Sequence, residues 1–207
     1  NAKLLGDIGD RFIKKTQPSL EAQLVNYADE IAYNNHDIDD GYRSGLVSFD
    51  SLMEIPFFRE VAEPLKKKYS SINERRLLHE TLRRMIHALI SDLCHFTKAN
   101  LSSYKPSTFQ KIRELPQLVG LSKLTNQKQT ELKQFLRSSL YLHPHVVEMT
   151  QNAEKIVKEL FNIFLNDSSL IRTGDLKAEK DVPRMVADYI AGMTDRFAIQ
   201  THKKLTK

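Results

Sequence analysis

Apolar positions recur at helical spacing along almost the whole chain, and no stretch alternates in the two-residue rhythm of a strand bounded by hairpin turns. Leu20, Leu24, Tyr27, Ala28 and Ile31 form the first apolar stripe. They predict a helix from about residue 19, after Pro18, to beyond residue 40, distorted at Asn34-Asn35 because asparagine competes for backbone hydrogen bonds. A second segment opens at Phe49, where Pro56 and Pro64 allow only short helices that end near Lys66-Lys67-Lys68. Asn73 is placed to cap a long helix whose Leu78, Leu82, Met85, Leu89 and Leu93 make one face apolar. Residues 102–106 break it, and residues 107–122 read as short and irregular. Further helices are expected over 126–142, over 146–165 (with Met149, Ala153, Ile156, Leu160 and Phe164 on one face) and over 183–205. A polar connection containing Gly174 covers 166–182. The fold class is all-α.

Within the first helix, Asp29, Tyr33 and Asp37 fall four residues apart and so stack along one side over two turns. An acid, a phenol and a second acid beside an apolar stripe are costly to bury without a metal or a ligand. This helix is therefore where chemistry is expected.

A length of 207 residues suits one large domain or two small ones, and 41% apolar residues suffice for a core. The single cysteine, Cys94, lies between Leu93 and His95. It reads as a buried free thiol, which points to a reducing, cytoplasmic location. No run approaches the roughly 20 apolar residues that span a bilayer, so no membrane partner is expected. The chain opens on Asn1-Ala2 without an initiator Met or a signal-peptide pattern, which predicts a piece of a longer protein. Net charge is +5, with basic and acidic residues interleaved, as in Glu74-Arg75-Arg76, Glu80 and Arg83-Arg84. That pattern reads first as a salt-bridged solvent face and alternatively as a phosphate-binding or nucleic-acid face.

Three segments carry a resemblance. They are Ala28-Asp29-Glu30-Ile31-Ala32-Tyr33 continuing to His36-Asp37-Ile38-Asp39-Asp40-Gly41, then Tyr141-Leu142-His143-Pro144, then Asp188 through Ala198. In this order they resemble the C-terminal portion of the deoxyguanosine triphosphate triphosphohydrolase-like branch of the HD-domain phosphohydrolases. The resemblance implies an all-α, metal-dependent enzyme that cuts a deoxynucleoside triphosphate, with dGTP favoured, into deoxynucleoside and tripolyphosphate. It implies that Asp29 ligates a divalent ion, Mg or Mn, and that Tyr33 and Asp37 line the sugar and triphosphate pocket. It further implies a homo-oligomer, with allosteric nucleotide or single-stranded DNA as further partners. Carboxylate and imidazole together suit such an ion, which would activate water and offset phosphate charge.

The chain departs from the family pattern at the metal. No histidine precedes Asp29, and the His36-Asp37 pair follows the Asp-Glu-Ile-Ala-Tyr motif instead of preceding it. His36 is therefore read as helix surface or pocket wall. The metal site is expected to be incomplete and this chain inactive alone. The domain reading is 19–47 as the end of the catalytic core and 48–207 as a C-terminal helical region. Other candidates are weaker. His79, His87 and His95 lie two turns apart on one helix, too far to share an ion. His143 and His145 flank Pro144 at a helix start, where capping is the simplest role. Asp188 and Asp195 are seven apart on one helix face, with Tyr189 and Asp195 as possible pocket residues. Arg43 follows Asp29 by about four turns and could reach phosphate. The alternative to an enzyme is a non-catalytic helical domain that binds nucleotides, regulates or drives oligomerisation.

Overall fold

The computed structural model describes residues 2–171 and 181–206. Gly174 and most of the expected 166–182 connection lie outside the described residues. Ten α-helices and no strand occur among the described residues. They fall into two compact units, residues 1–141 and 142–207. The sequence boundary between 47 and 48 falls inside the first unit.

In the first unit, α1 (Asp7–Lys14) precedes α2 (Leu20–Arg43), which starts where the Ser19 side chain accepts a hydrogen bond from the Ala22 N–H. Then come α3 (Phe49–Met53), α4 (Pro56–Lys68), α5 (Glu74–Tyr104), α6 (Phe109–Glu114) and α7 (Lys123–Leu136). A π-helical turn, Arg137–Tyr141, follows α7. Asn73 caps α5 as its sequence predicts, accepting from the Arg76 N–H. Leu78, Leu82, Met85, Leu89 and Leu93 are all buried in one core with Ile38, Leu52, Phe58, Leu65, Leu132 and Leu136. Burying each such side chain stabilises the fold by roughly 1.5–3 kcal/mol.

Several expectations change here. Helix α4 runs unbroken through Pro64, an exposed position in its third turn, although proline removes one backbone donor there. Helix α2 is continuous through Asn34 and Asn35, which are buried, and the Asn35 side chain donates back to the Ile31 carbonyl at 2.7 Å. The buried face of α2 is Gln23, Ile31, Asn34, Asn35, Ile38 and Gly41, whereas Leu24 and Ala28 of the expected stripe face outward. Gln23 takes the place of an apolar residue because both its amide oxygen and its amide nitrogen are hydrogen-bonded. Its Oε1 accepts from the Leu118 and Val119 N–H groups, and its Nε2 donates to the Pro18 carbonyl, so it ties the 117–119 loop to α2. Residues 109–114, expected to be irregular, form α6 behind a Thr108 cap. Helix α7 begins at Lys123, three residues before the expected start, because Ser122 caps it. The Ser122 N–H and Oγ both donate to Asp92 of α5, at 2.7 and 2.8 Å, which fixes that start. Cys94 is exposed, not buried: one residue after buried Leu93, it sits a third of a turn round α5.

The second unit is α8 (Pro144–Asn166), α9 (Val182–Ala191) and α10 (Asp195–Leu205), with α9 and α10 each packed on α8. Ile156, Leu160, Phe164, Ile171 and Val186 form its core. Met149 and Ala153 of the expected inner face are exposed. The single C-terminal helix read from sequence is two helices, because α9 ends at Gly192 and Thr194 caps α10. Asp188 and Asp195 therefore do not share a helix face.

Candidate functional site

The second half of α2 and the end of the π-helical turn after α7 build one site in the first unit. Asp37 is half-buried, and the Tyr141 hydroxyl donates a hydrogen bond to its carboxylate. The Tyr33 ring stacks on Tyr141, with centroids 6.4 Å apart and planes 21° from parallel. Helix α2 presents Tyr33 and Asp37 together because they are four residues apart. The turn after α7 brings Tyr141 to them, 104 residues on from Asp37. An extra residue per turn in that segment is what lets Tyr141 reach the α2 face without ending the helical path.

Burial pushes the Asp37 carboxyl up from its ordinary value, the nearby Asp40 charge adds to that, and His36 pulls the other way. The result is a carboxyl and two phenols at a partly open edge. Such a set can accept hydrogen bonds from a hydroxyl and cover the flat side of a ring or sugar.

Asp29 lies two turns before Asp37 and is exposed. Four residues advance a helix by slightly more than one turn, so the Asp29–Tyr33–Asp37 row winds by about 80° across its length. Only its last member reaches the buried side. His36 is exposed. Arg43 pairs with Asp39 at 3.7 Å, and His79 of α5 stands 3.7 Å from the other Asp39 oxygen. No three His, Cys, Asp or Glu side chains among the described residues are grouped so as to hold a metal ion. The residues present therefore do not fit a complete divalent-metal centre.

The remaining candidates lie in the second unit. Tyr189 is half-buried and meets Phe164 edge-on at 5.3 Å, as part of that unit's core. Asp195 is exposed in the first turn of α10, at the rim of a groove of about 270 Å³ with Met149, Ile156 and Ile199. Asp188 pairs with Arg184 at 2.9 Å. His143 caps α8, accepting from the His145 N–H, so capping is its observed role. His95 lies 2.7 Å from the Ser91 carbonyl within α5.

Tyr141 is the residue that sequence reasoning left out. It stands in the quoted Tyr-Leu-His-Pro segment, yet nothing in local spacing ties it to α2.

Residues 119–204 match the family described as the phosphohydrolase-associated domain. Over 99% of its length the chain is 45% identical to a deoxyguanosinetriphosphate triphosphohydrolase-like protein of Bordetella pertussis (strain Tohama I / ATCC BAA-589 / NCTC 13251), of which it covers 54%. The same name is carried by relatives from Ralstonia pickettii (strain 12J), 43% identical with 53% covered, and Nitrosomonas europaea (strain ATCC 19718 / CIP 103999 / KCTC 2705 / NBRC 14298), 42% identical with 55% covered. Over nearly its whole length the chain is similar to part of these deoxyguanosinetriphosphate triphosphohydrolase-like proteins. It spans about half the length of the curated relatives it matches. The α2 site and the α8–α10 unit both lie inside the matched stretch. No helix among the described residues is long and apolar enough to cross a membrane.

Proposed function

We propose that this chain supplies the sugar-side wall of a deoxynucleoside triphosphate hydrolase, with dGTP the favoured substrate and deoxynucleoside and tripolyphosphate the products. The observation that carries this reading is the Asp37–Tyr141 hydrogen bond with Tyr33 stacked beside it. The relatives' names supply the substrate class.

In this reading Asp37 accepts a hydrogen bond from a sugar hydroxyl. Tyr141 holds that carboxylate in place, and the two rings close the side of the sugar against water. A carboxylate held by a phenol keeps an acceptor aimed at the ligand at low cost in side-chain freedom. Asp29 would contribute one oxygen to a divalent ion, Mg or Mn, whose chemistry when bound is to polarise water and offset phosphate charge. The other ligands would have to come from outside this chain, so no catalytic step is assigned to it alone. The enzyme would be a homo-oligomer in the cytoplasm.

The test is calorimetric titration of dGTP into this chain and into its Asp37→Asn variant. The variant should bind about tenfold more weakly, matching the ~1.5 kcal/mol lower end for a hydrogen bond to a charged group. Equal affinities, or no binding by the unsubstituted chain, would contradict the assignment.

A further inference from the structure

The buried polar side chains among the described residues are Gln23, Asn34, Asn35, Thr81 and Gln129. Hydrogen bonds answer two of them fully. Gln23 ties the 117–119 loop to α2, and the Thr81 hydroxyl donates to the Leu77 carbonyl at 2.7 Å within α5. The other three are not fully answered. The Asn34 Nδ2, the Asn35 Oδ1 and both amide atoms of Gln129 have no hydrogen-bond partner among the described residues. Gln129 is 1% exposed. On folding, such atoms give up the hydrogen bonds that water offers the open chain and gain none from the protein.

The unanswered atoms belong to two helices that pack on each other, α2 and α7. Gln129 heads the buried row of α7, ahead of Leu132 and Leu136. Polar ties from α7 to its neighbours lie at the surface. Lys133 meets Glu30 of α2 at 3.0 Å, and Lys128 meets Glu60 of α4 at 2.5 Å, with Lys133 46% and Glu60 61% exposed. Exposed pairs of this kind hold a helix only weakly. By contrast, the buried residues of α5 are all apolar except Thr81, whose hydroxyl is used. The first unit thus has a firm helix, α5, and a weak seam, α2–α7. At the end of α7 the chain enters the π-helical turn that carries Tyr141, whose hydroxyl donates to Asp37.

We propose that α7 and its π-helical turn form a strap that opens from α2 by local unfolding, with the Asp37–Tyr141 hydrogen bond as its latch. Opening returns the amides of Gln129 and Asn34 to water, which offsets part of the loss from exposing Leu132 and Leu136. It also lifts Tyr141 from Asp37 and uncovers the carboxylate. That this movement admits and releases a sugar rests on the function proposed for Asp37, whereas the opening itself does not. Segments that open in this way have the lowest local stability in a fold, and hydrogen exchange reports them directly.

The test is hydrogen–deuterium exchange of the whole chain without nucleotide, read by mass spectrometry of peptic fragments. In the unsubstituted chain, amides of α7 should exchange at least about tenfold faster than those of residues 77–93 in α5. Gln129→Met keeps a straight side chain and removes the amide. It should slow exchange in α7 about tenfold and leave α5 unchanged. Gln129→Leu should act in the same direction, so a poor fit of one apolar side chain does not decide the result. Tyr141→Phe removes the latch and should speed exchange of residues 132–141 about tenfold. Three results would overturn the proposal: equal exchange of α7 and α5 in the unsubstituted chain, no slowing by either Gln129 variant, or no effect of Tyr141→Phe. Because no nucleotide is present, a failure of dGTP to bind this chain would overturn the function proposed for Asp37 and leave the strap standing.

Discussion

Asp37 carries two opposed influences. Burial and the Asp40 charge raise its carboxyl above the ordinary value of 3.8, while His36 lowers it. The Tyr141 donor also favours the ionised form. With the folded value raised, the folded chain holds this proton to a higher pH than the unfolded chain does. The group therefore favours folding at low pH, and that contribution is lost as pH rises through the folded value. Urea unfolding of the Asp37→Asn variant between about pH 3.5 and 6 should lack this part of the pH dependence. An identical stability–pH curve in both proteins would show that Asp37 titrates as in the unfolded chain. At this same scale the sequence named Tyr33 and Asp37 but not Tyr141. Helical spacing reports only neighbours within a turn or two, whereas the Asp37–Tyr141 pair depends on how α7 lies along α2. Asp29 shows the converse limit. Its spacing from Asp37 was correct, but the slow winding of a four-residue row leaves it on the exposed side.

Helix α2 is the element on which the site depends, and Gly41 fixes its exit. A Cβ at Gly41 would stand 2.9 Å from the Val47 Cγ2 and 3.5 Å from Leu140 Cδ1. Alanine gains roughly 1 kcal/mol over glycine in a helix interior. Overpacking against a buried side chain costs typically 1–3 kcal/mol. Val47 is only 2% exposed and has little room to move, so the second effect wins. Gly41→Ala should lower stability by about 1 kcal/mol in chemical denaturation; a stabilised variant would mean that Val47 yields freely. Element type was widely legible along the chain, since the apolar rows of α5 and the α8 positions Ile156, Leu160 and Phe164 follow helical spacing. Boundaries were legible where a cap was recognised, as at Ser19 and Asn73. They were missed at Ser122, which follows Leu121, and at Thr194, which follows Met193, where no proline or asparagine marks the start. The buried face of α2 was misread because Gln23 and two asparagines occupy core positions. A polar residue satisfied by a distant loop cannot be told from a solvent-facing one by pattern alone.

For the whole molecule, the matched stretch covers 99% of this chain but only about half of relatives that carry a hydrolase-like name. Composition and periodicity established the all-α class. They could not establish that the described residues form two units with separate cores, because both cores are written in the same helical rhythm. The central claim is that the chain holds the substrate-side residues of a phosphohydrolase without a full metal-ligand set. The most direct measurement incubates this chain and a full-length relative, in parallel, with dGTP and with each other dNTP plus Mn²⁺ or Mg²⁺. Deoxynucleoside and tripolyphosphate are then resolved chromatographically. The account predicts both products from the full-length protein, dGTP consumed fastest, and none from this chain. Turnover by this chain alone would contradict it, because the residues described here would then suffice for a metal centre that their geometry does not form.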